Sequence, residues 1–187
     1  MTSLDLQPHL VGGLIELRPL AADDWDQLFA VASDPLIWEG HPARDRYKGP
    51  VFRQFFREAL DSGGALVALD RTTRRIIGSS RYWWDGANRD ELEIGWTFLA
   101  RAYWGGLYNG EMKSLMLAHA FKSVDHVIFI VGVDNVRSQK AMLKIGAVPT
   151  ERRLVRTLHG QPLEHMVFAI TKAGFSADGR DRRMTAT

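Results

Sequence analysis

The 187-residue sequence contains no cysteine. That excludes disulfides, thiolate zinc sites and a cysteine nucleophile together, and it fits a reducing compartment. Long hydrophobic runs are missing too. The longest, Val127 to Val131, falls far short of the ~20 apolar residues that a membrane-spanning helix requires. The N-terminus carries Asp5 and shows neither a basic n-region nor an apolar h-region, so no signal peptide is expected and the expected compartment is cytoplasmic. An excess of one charge is also lacking: Lys plus Arg number 24 against 22 Asp plus Glu, a net of +2. Three of the arginines, Arg180, Arg182 and Arg183, lie near the end among Asp178 and Asp181. No basic stripe of the kind that tracks nucleic acid emerges, and neither nucleic acid nor membrane is an expected partner. G-x-G, G-x-S-x-G and H-E-x-x-H are all absent, which argues against a Rossmann fingerprint, a hydrolase elbow and a zincin site. The six histidines (His9, His41, His119, His126, His159 and His165) form no compact ligand pair, so no metal is expected.

What is present reads as one ordinary globular domain, 45% hydrophobic and 25% charged. Residues 1–13 read as a flexible leader ending in Gly12-Gly13. Leu14 to Leu20 begins with strand-like alternation. Trp25, Leu28, Phe29 and Ala32 recur at helical spacing within Asp23–Ser33, and Asp34-Pro35 stops that helix. The loop Gly40–Pro50 precedes a second helix, Val51–Leu60, which Gly63-Gly64 closes. Three strand-like runs follow: Ala65–Leu69, Ile76–Trp84 and Glu91–Leu99. Short turn clusters, Asp70–Thr73 and Asp85–Asn88, separate them as in antiparallel hairpins. A helix from Tyr108 to Ser123 then leads to a buried strand, His126–Val133. A further helix, Val136–Ile145, follows with Asn135 as N-cap and Gly146 as C′ glycine. Val148–Leu158 and Leu163–Thr171 bracket the turn His159–Pro162. The expected domain spans 14–175, and residues 176–187 are expected to be disordered. The order β α α β β β α β α β β implies one mixed α+β sheet with helices on both faces.

Three constellations could carry chemistry. Trp104-Gly105-Gly106-Leu107-Tyr108-Asn109-Gly110 joins a strand to a helix, where glycines allow close approach and first-turn N–H groups lack intrahelical partners. Such a place can hold phosphate, or it can be a tight turn and nothing more. Gly105 and Gly110 have Walker A separation, but Lys113 falls two residues too late. At a second strand-to-helix junction, Asn135 offers donors and acceptors with Ser138 one turn on; N-capping alone would also account for Asn135. In Glu91-Leu92-Glu93-Ile94-Gly95-Trp96 the two carboxylates share a face. They form a wet surface, or, if helices cover both faces, a desolvated general base of raised pKa. The six tryptophans are core by default, with Trp38, Trp83 and Trp84 near loops and therefore candidates to line a pocket.

Taken in order, these pieces resemble the GNAT superfamily of acetyl-CoA-dependent N-acetyltransferases over residues 14–171, and most closely its RimJ/RimL-like branch, which includes acetyltransferases of ribosomal-protein N-termini. The resemblance is carried by Leu14–Leu20, Leu92–Trp96, Tyr103–Glu111, Asn135-x-x-Ser138 and Lys144-x-Gly146. It implies a central, mostly antiparallel mixed sheet splayed between its fourth and fifth strands. It places the pantetheine arm of acetyl-CoA in that gap against the backbone near Phe98 and Leu99. The pyrophosphate would rest on the N–H groups of Gly105–Gly110 within Trp104–Gly110. Asn135 and Arg137 would contact the co-substrate, Ser138 would lie near the sulfur, and Glu93 falls where many relatives carry the general base. The family loop runs Gln/Arg-x-x-Gly-x-Gly/Ala. Here Trp104, Leu107 and Asn109 depart from it, and the Leu107 side chain is expected to narrow the cradle. Met142 stands where many relatives use a tyrosine acid, and Ser138 is the expected substitute.

The resemblance implies transfer of an acetyl group to a primary amine, by direct attack and without a metal. The acceptor would be a protein N-terminus or a small-molecule amine, which leaves a peptide, a polyamine and an antibiotic amine open. Trp38, Tyr47, Trp83, Trp84 and Glu91 are the expected acceptor-pocket residues, in a wall formed by the first two helices and the loop 40–50 with His41 and Arg44. Glu91 is a second candidate base. The alternative function is a non-catalytic acyl-CoA-binding module of the same fold. The oligomeric state is not legible, with a homodimer left open.

Overall fold

Alternation and helical spacing place most elements within a few residues of where the sequence predicts them. The computed structural model describes residues 4–84, 90–158 and 160–175. In chain order the elements are β1 (Leu10–Val11), β2 (Ile15–Pro19), α1 (Trp25–Ala32), α2 (Gly49–Asp61), β3 (Ala65–Asp70), β4 (Ile76–Trp83) and β5 (Glu91–Leu99). They continue with α3 (Tyr108–Ala120), β6 (His126–Gly132), α4 (Val136–Lys144), β7 (Val148–Leu158) and β8 (Gln161–Thr171). The turn Asp85–Asn88, His159 and the tail 176–187 lie outside the described residues.

Two expectations are corrected. Helix α2 starts at Gly49 and takes in Pro50, because proline fits a helix's first turn, where its missing N–H costs nothing. The stretch 4–13, expected as a flexible leader, carries β1 and packs Leu4, Leu6 and Leu10 against the core. Its anchor is distant in sequence: the Glu111 carboxylate accepts N–H groups from Gly13 at 2.7 Å and from Leu14 and Ile15 at 2.8 Å.

The strands form one eight-stranded sheet in the order β1-β2-β3-β4-β5-β6-β8-β7. Every neighbouring pair is antiparallel except β5–β6. Helices α3 and α4 cover one face, burying Met112, Met116, Ala120 and Met142 against Ile15, Leu92 and Phe129. Helices α1 and α2 cover the other, burying Leu28, Phe52, Phe55 and Phe56 against Val67 and Phe98. This is the α+β layout with helices on both faces. At Gly78 the backbones of β4 and β5 come so close that an added Cβ would lie 2.1 Å from the Phe98 carbonyl oxygen. No helix among the described residues is long and apolar enough to cross a membrane.

The parallel seam positions the site. β5 and β6 pair only at Glu91↔His126, Leu92↔Val127 and Glu93↔Ile128; from Ile94 onward β5 has no partner on β6. The cause lies on the other edge of β5. Between Ser79↔Phe98 and Arg81↔Gly95 the β4–β5 register shifts by one residue, and Trp96 adopts φ +52°. A bulge of this kind bends its strand, and a non-glycine residue in the left-handed region stores roughly 1–3 kcal/mol of strain. With β1 counted, the gap expected between the fourth and fifth strands lies between β5 and β6.

Candidate active site

The opening between β5 and β6 continues into a cleft of about 1240 Å³. One wall is the unpaired stretch Gly95–Leu99 of β5, and the facing wall is Phe129–Gly132 of β6. Phe98 and Leu99 both line the cleft, while their rings and branches anchor in opposite core layers. The edge of this stretch turned away from β4 has no strand partner, and its backbone groups, apart from the Leu99 carbonyl, which Trp104 takes, face whatever lies alongside.

At one end sits the N-terminus of α3. Gly105 takes φ +71°, the left-handed turn that lets Trp104–Leu107 fold back before the helix. The first intrahelical bond runs from the Glu111 N–H to the Leu107 carbonyl at 2.8 Å, leaving the N–H groups of the preceding residues without helical acceptors. Gly105, Gly106, Leu107, Asn109 and Gly110 all line the cleft. Tyr108 does not; its hydroxyl donates to Asp70 at 2.9 Å and its ring packs edge-on against Tyr103. The Leu107 side chain, expected to narrow the cradle, is 75% exposed and lies in solvent instead.

Trp104 is fixed by its indole N–H, which donates to the Leu99 carbonyl at 2.8 Å. Arg137 stacks on that ring, with its guanidinium carbon 3.9 Å from the centroid, and donates to the Ile37 carbonyl at 2.7 Å. Asn135 is buried and caps α4 by accepting the Ser138 N–H at 3.2 Å. Both residues and Met142 line the cleft beside Gly132, whose added Cβ would meet Pro42 at 2.9 Å.

At the other end stands Glu93, 6% exposed, its carboxylate 2.8 Å from an Arg156 amine. Of the two alternatives the sequence leaves open, a wet face or a desolvated carboxylate, Glu93 takes the buried one, with a cationic partner that the sequence does not reveal. Glu91 shares that strand face but is held outside the cleft by Arg152, through contacts of 2.6 and 3.1 Å. Of the expected acceptor-pocket residues, only Trp38 lines the cleft. Trp83 and Trp84 are partly exposed at the surface, Trp83 edge-on to Trp96, and Tyr47 packs into the α1–α2 core layer.

Lining residues that the sequence reading did not assign to the site include four with cationic or imidazole side chains, Arg46, Lys113, Arg156 and His165. Lys113 is 1% exposed and donates to Thr97 at 2.5 Å and Ser80 at 3.2 Å; burial pushes its ammonium down to about 7. The Nδ1 of His165 lies 2.9 Å from the Leu163 carbonyl, which makes it the protonated nitrogen and leaves Nε2 as an acceptor. Burial lowers the pKa of this ring. His41 has the opposite tautomer, because its Nδ1 accepts the Ala43 N–H at 2.9 Å, and burial holds it neutral with a pKa of about 3. A signal for two of the four lay in β7 and β8. Arg156 stands between Leu154 and Leu158, and His165 between Leu163 and Val167, at alternate positions of their strands.

A model of the acetyltransferase (GNAT) domain matches residues 15–148. Among solved structures, a GCN5-related N-acetyltransferase from Brucella melitensis superposes with a TM-score of 0.79 at 16% identity, over 91% of this chain and 81% of that one. An acetyltransferase structure from T. thermophilus is 25% identical, with a TM-score of 0.73 and 95% of each chain covered. RimJ of Mycobacterium smegmatis, solved with CoA-disulfide, is 20% identical with a TM-score of 0.65, over 88% of this chain and 85% of that one. A search of curated proteins found no match.

Proposed function

The chain belongs to the GNAT acetyltransferase family, and from that premise we propose that it moves the acetyl group of acetyl-CoA to a primary amine by direct attack. The observation that carries this reading is the early end of the β5–β6 ladder at Glu93↔Ile128. It opens one continuous cleft from the N-terminus of α3 to a buried carboxylate.

The residues present fit the co-substrate. Backbone N–H groups at Gly105–Gly110 and the positive end of the α3 dipole suit a pyrophosphate. Arg137, stacked on Trp104, brings a guanidinium to the place where the family loop begins with Gln or Arg. The unpaired edge Gly95–Leu99, with Asn135 facing it, suits the amides of a pantetheine arm. When bound there, acetyl-CoA supplies an activated thioester carbon.

Glu93 takes the proton that an attacking amine must lose, since free amines titrate near ~8 to ~10. Arg156 fixes the carboxylate in place. A backbone N–H of the unpaired β5 edge stabilises the developing oxyanion, a contribution typically of ~3–4 kcal/mol. Ser138, in the first turn of α4, donates to the departing sulfur; a thiol of pKa ~8.5 leaves with little help. RimJ/RimL-like likeness makes a protein N-terminus one acceptor to test beside small amines.

The test is a thiol-release assay across an amine panel, run beside calorimetric titration with acetyl-CoA. Turnover with at least one amine supports the enzyme. Tight binding with none would leave a binding module.

A further inference from the structure

Two guanidinium groups, Arg46 and Arg156, line the acceptor end of the cleft, and a third, Arg81, is buried against the lining ring of Trp96. Arg46, on the loop before α2, lines the cleft with its guanidinium carbon 5.2 Å from the Trp38 ring centroid and 4.4 Å from that of Phe55. Arg81, on β4 opposite Gly95, stands 5.6 Å from the same Phe55 ring and 4.7 Å from Trp96. It is 5% exposed, and its Nε and Nη2 have no hydrogen-bond partner among the described residues. Glu93 is already bonded to Arg156, whose guanidinium lies 5.5 Å from the cleft-lining ring of Trp96. Glu58 and Asp45 act on Arg46, and Glu58 and Glu93 on Arg81, through space. His41 and His165 are neutral and add no further positive charge. Burial accordingly pushes both guanidinium groups down to about 10, with Arg81 adding to the effect on Arg46.

Arg81 is not among the lining residues, so its unmet donors contribute field and no docking point; Arg46 does line the cleft, and a planar guanidinium fork flanked by aromatic rings matches carboxylate or phosphate oxygens. A polyamine would bring further positive charge into the same space. We propose that the acceptor carries, beside its amine, an anionic group that docks on Arg46 within the field of Arg81. The acceptor class is then an amine-bearing carboxylate or phosphate ester. This rests on the acetyl-transfer reading of the cleft.

The test measures CoA release with matched acceptors: glycyl-glutamate amide against glycyl-glutamine amide, phosphoethanolamine against ethanolamine, and spermidine. The acidic member should lead its neutral partner by at least about 10-fold in kcat/KM, and the pair with the larger ratio tells carboxylate from phosphate. Arg46→Gln should bring that ratio close to one, and Arg46→Lys should keep part of it, with thermal midpoints checking that both variants fold. Equal or better turnover of the neutral members or spermidine overturns the proposal, as does an Arg46→Gln loss shared equally by both members of a pair. Calorimetry with inorganic phosphate and with glutarate, with and without saturating CoA, reads the anion site without any turnover. Binding abolished by Arg46→Gln supports the site even if no amine reacts, in which case only the acetyl-transfer reading fails. Absence of anion binding overturns the site itself.

Discussion

The Arg137 guanidinium lies 3.9 Å from the Trp104 ring centroid, so the first turn of α4 and the loop entering α3 are joined across the mouth of the cleft. Trp104 holds the position where the family's loop offers a polar side chain, and a cation reaches that position from another helix. Arg137→Ala should weaken acetyl-CoA binding about 5- to 10-fold, in line with a cation–π contact of roughly 1 kcal/mol plus a lost charge. Calorimetry reads the affinity, and kcat at saturating acetyl-CoA should stay within about 2-fold of wild type.

Glu93→Gln removes the proposed proton acceptor while keeping its shape. At neutral pH kcat should fall by about 100-fold, the lower end of what a positioned base contributes. The deficit should shrink as pH rises, because more of the amine is then neutral without help. An unchanged pH–rate profile would remove Glu93 from the role and turn attention to the Nε2 lone pair of His165.

Glu111 accepts three backbone N–H groups from Gly13, Leu14 and Ile15. Glu111→Ala leaves those donors unmet and frees the stretch that carries β1. A loss of roughly 2 kcal/mol is expected, below the sum for three fully buried donors because this corner is partly exposed. Urea unfolding measures it.

Lys113 should tie stability to alkaline pH. Its folded-state pKa is lowered by burial to about 7, against ~10.4 for a free lysine, so between these values the unfolded chain binds more protons. Stability must therefore rise with pH across that window and level off below about 7. Lys113→Met should flatten the rise, and the difference between the two proteins in chemical denaturation from pH 6.5 to 10 is the readout.

The fold was legible wherever local pattern decides it. Helices with apolar residues three and four apart, such as Trp25, Leu28, Phe29 and Ala32, and strands bounded by turn residues came out within a few positions. β1 did not, since two residues carry no period and their anchor, Glu111, lies about a hundred residues away. In the site, residues fixed by their own loop or helix end, Gly105–Gly110 and Asn135–Ser138, line the cleft, apart from Tyr108. Those that depend on strand pairing were less legible. Glu91 and Glu93 differ in which arginine of β7 reaches them across the intervening strands, Arg152 or Arg156, and that contact exists only in the folded sheet. Trp83 and Trp84 were placed by their nearness to loops, a weak guide once the β4–β5 hairpin sends them to the surface.

The seam between β5 and β6 is three residue pairs long. Mechanically the domain is two plates, strands β1 to β5 and strands β6 to β8, stapled at one end and spread apart at the other. Anything wedged into the spread end is gripped by both plates at once. On the acetyl-transfer reading, the angle between the plates fixes how far apart the two reactants are held.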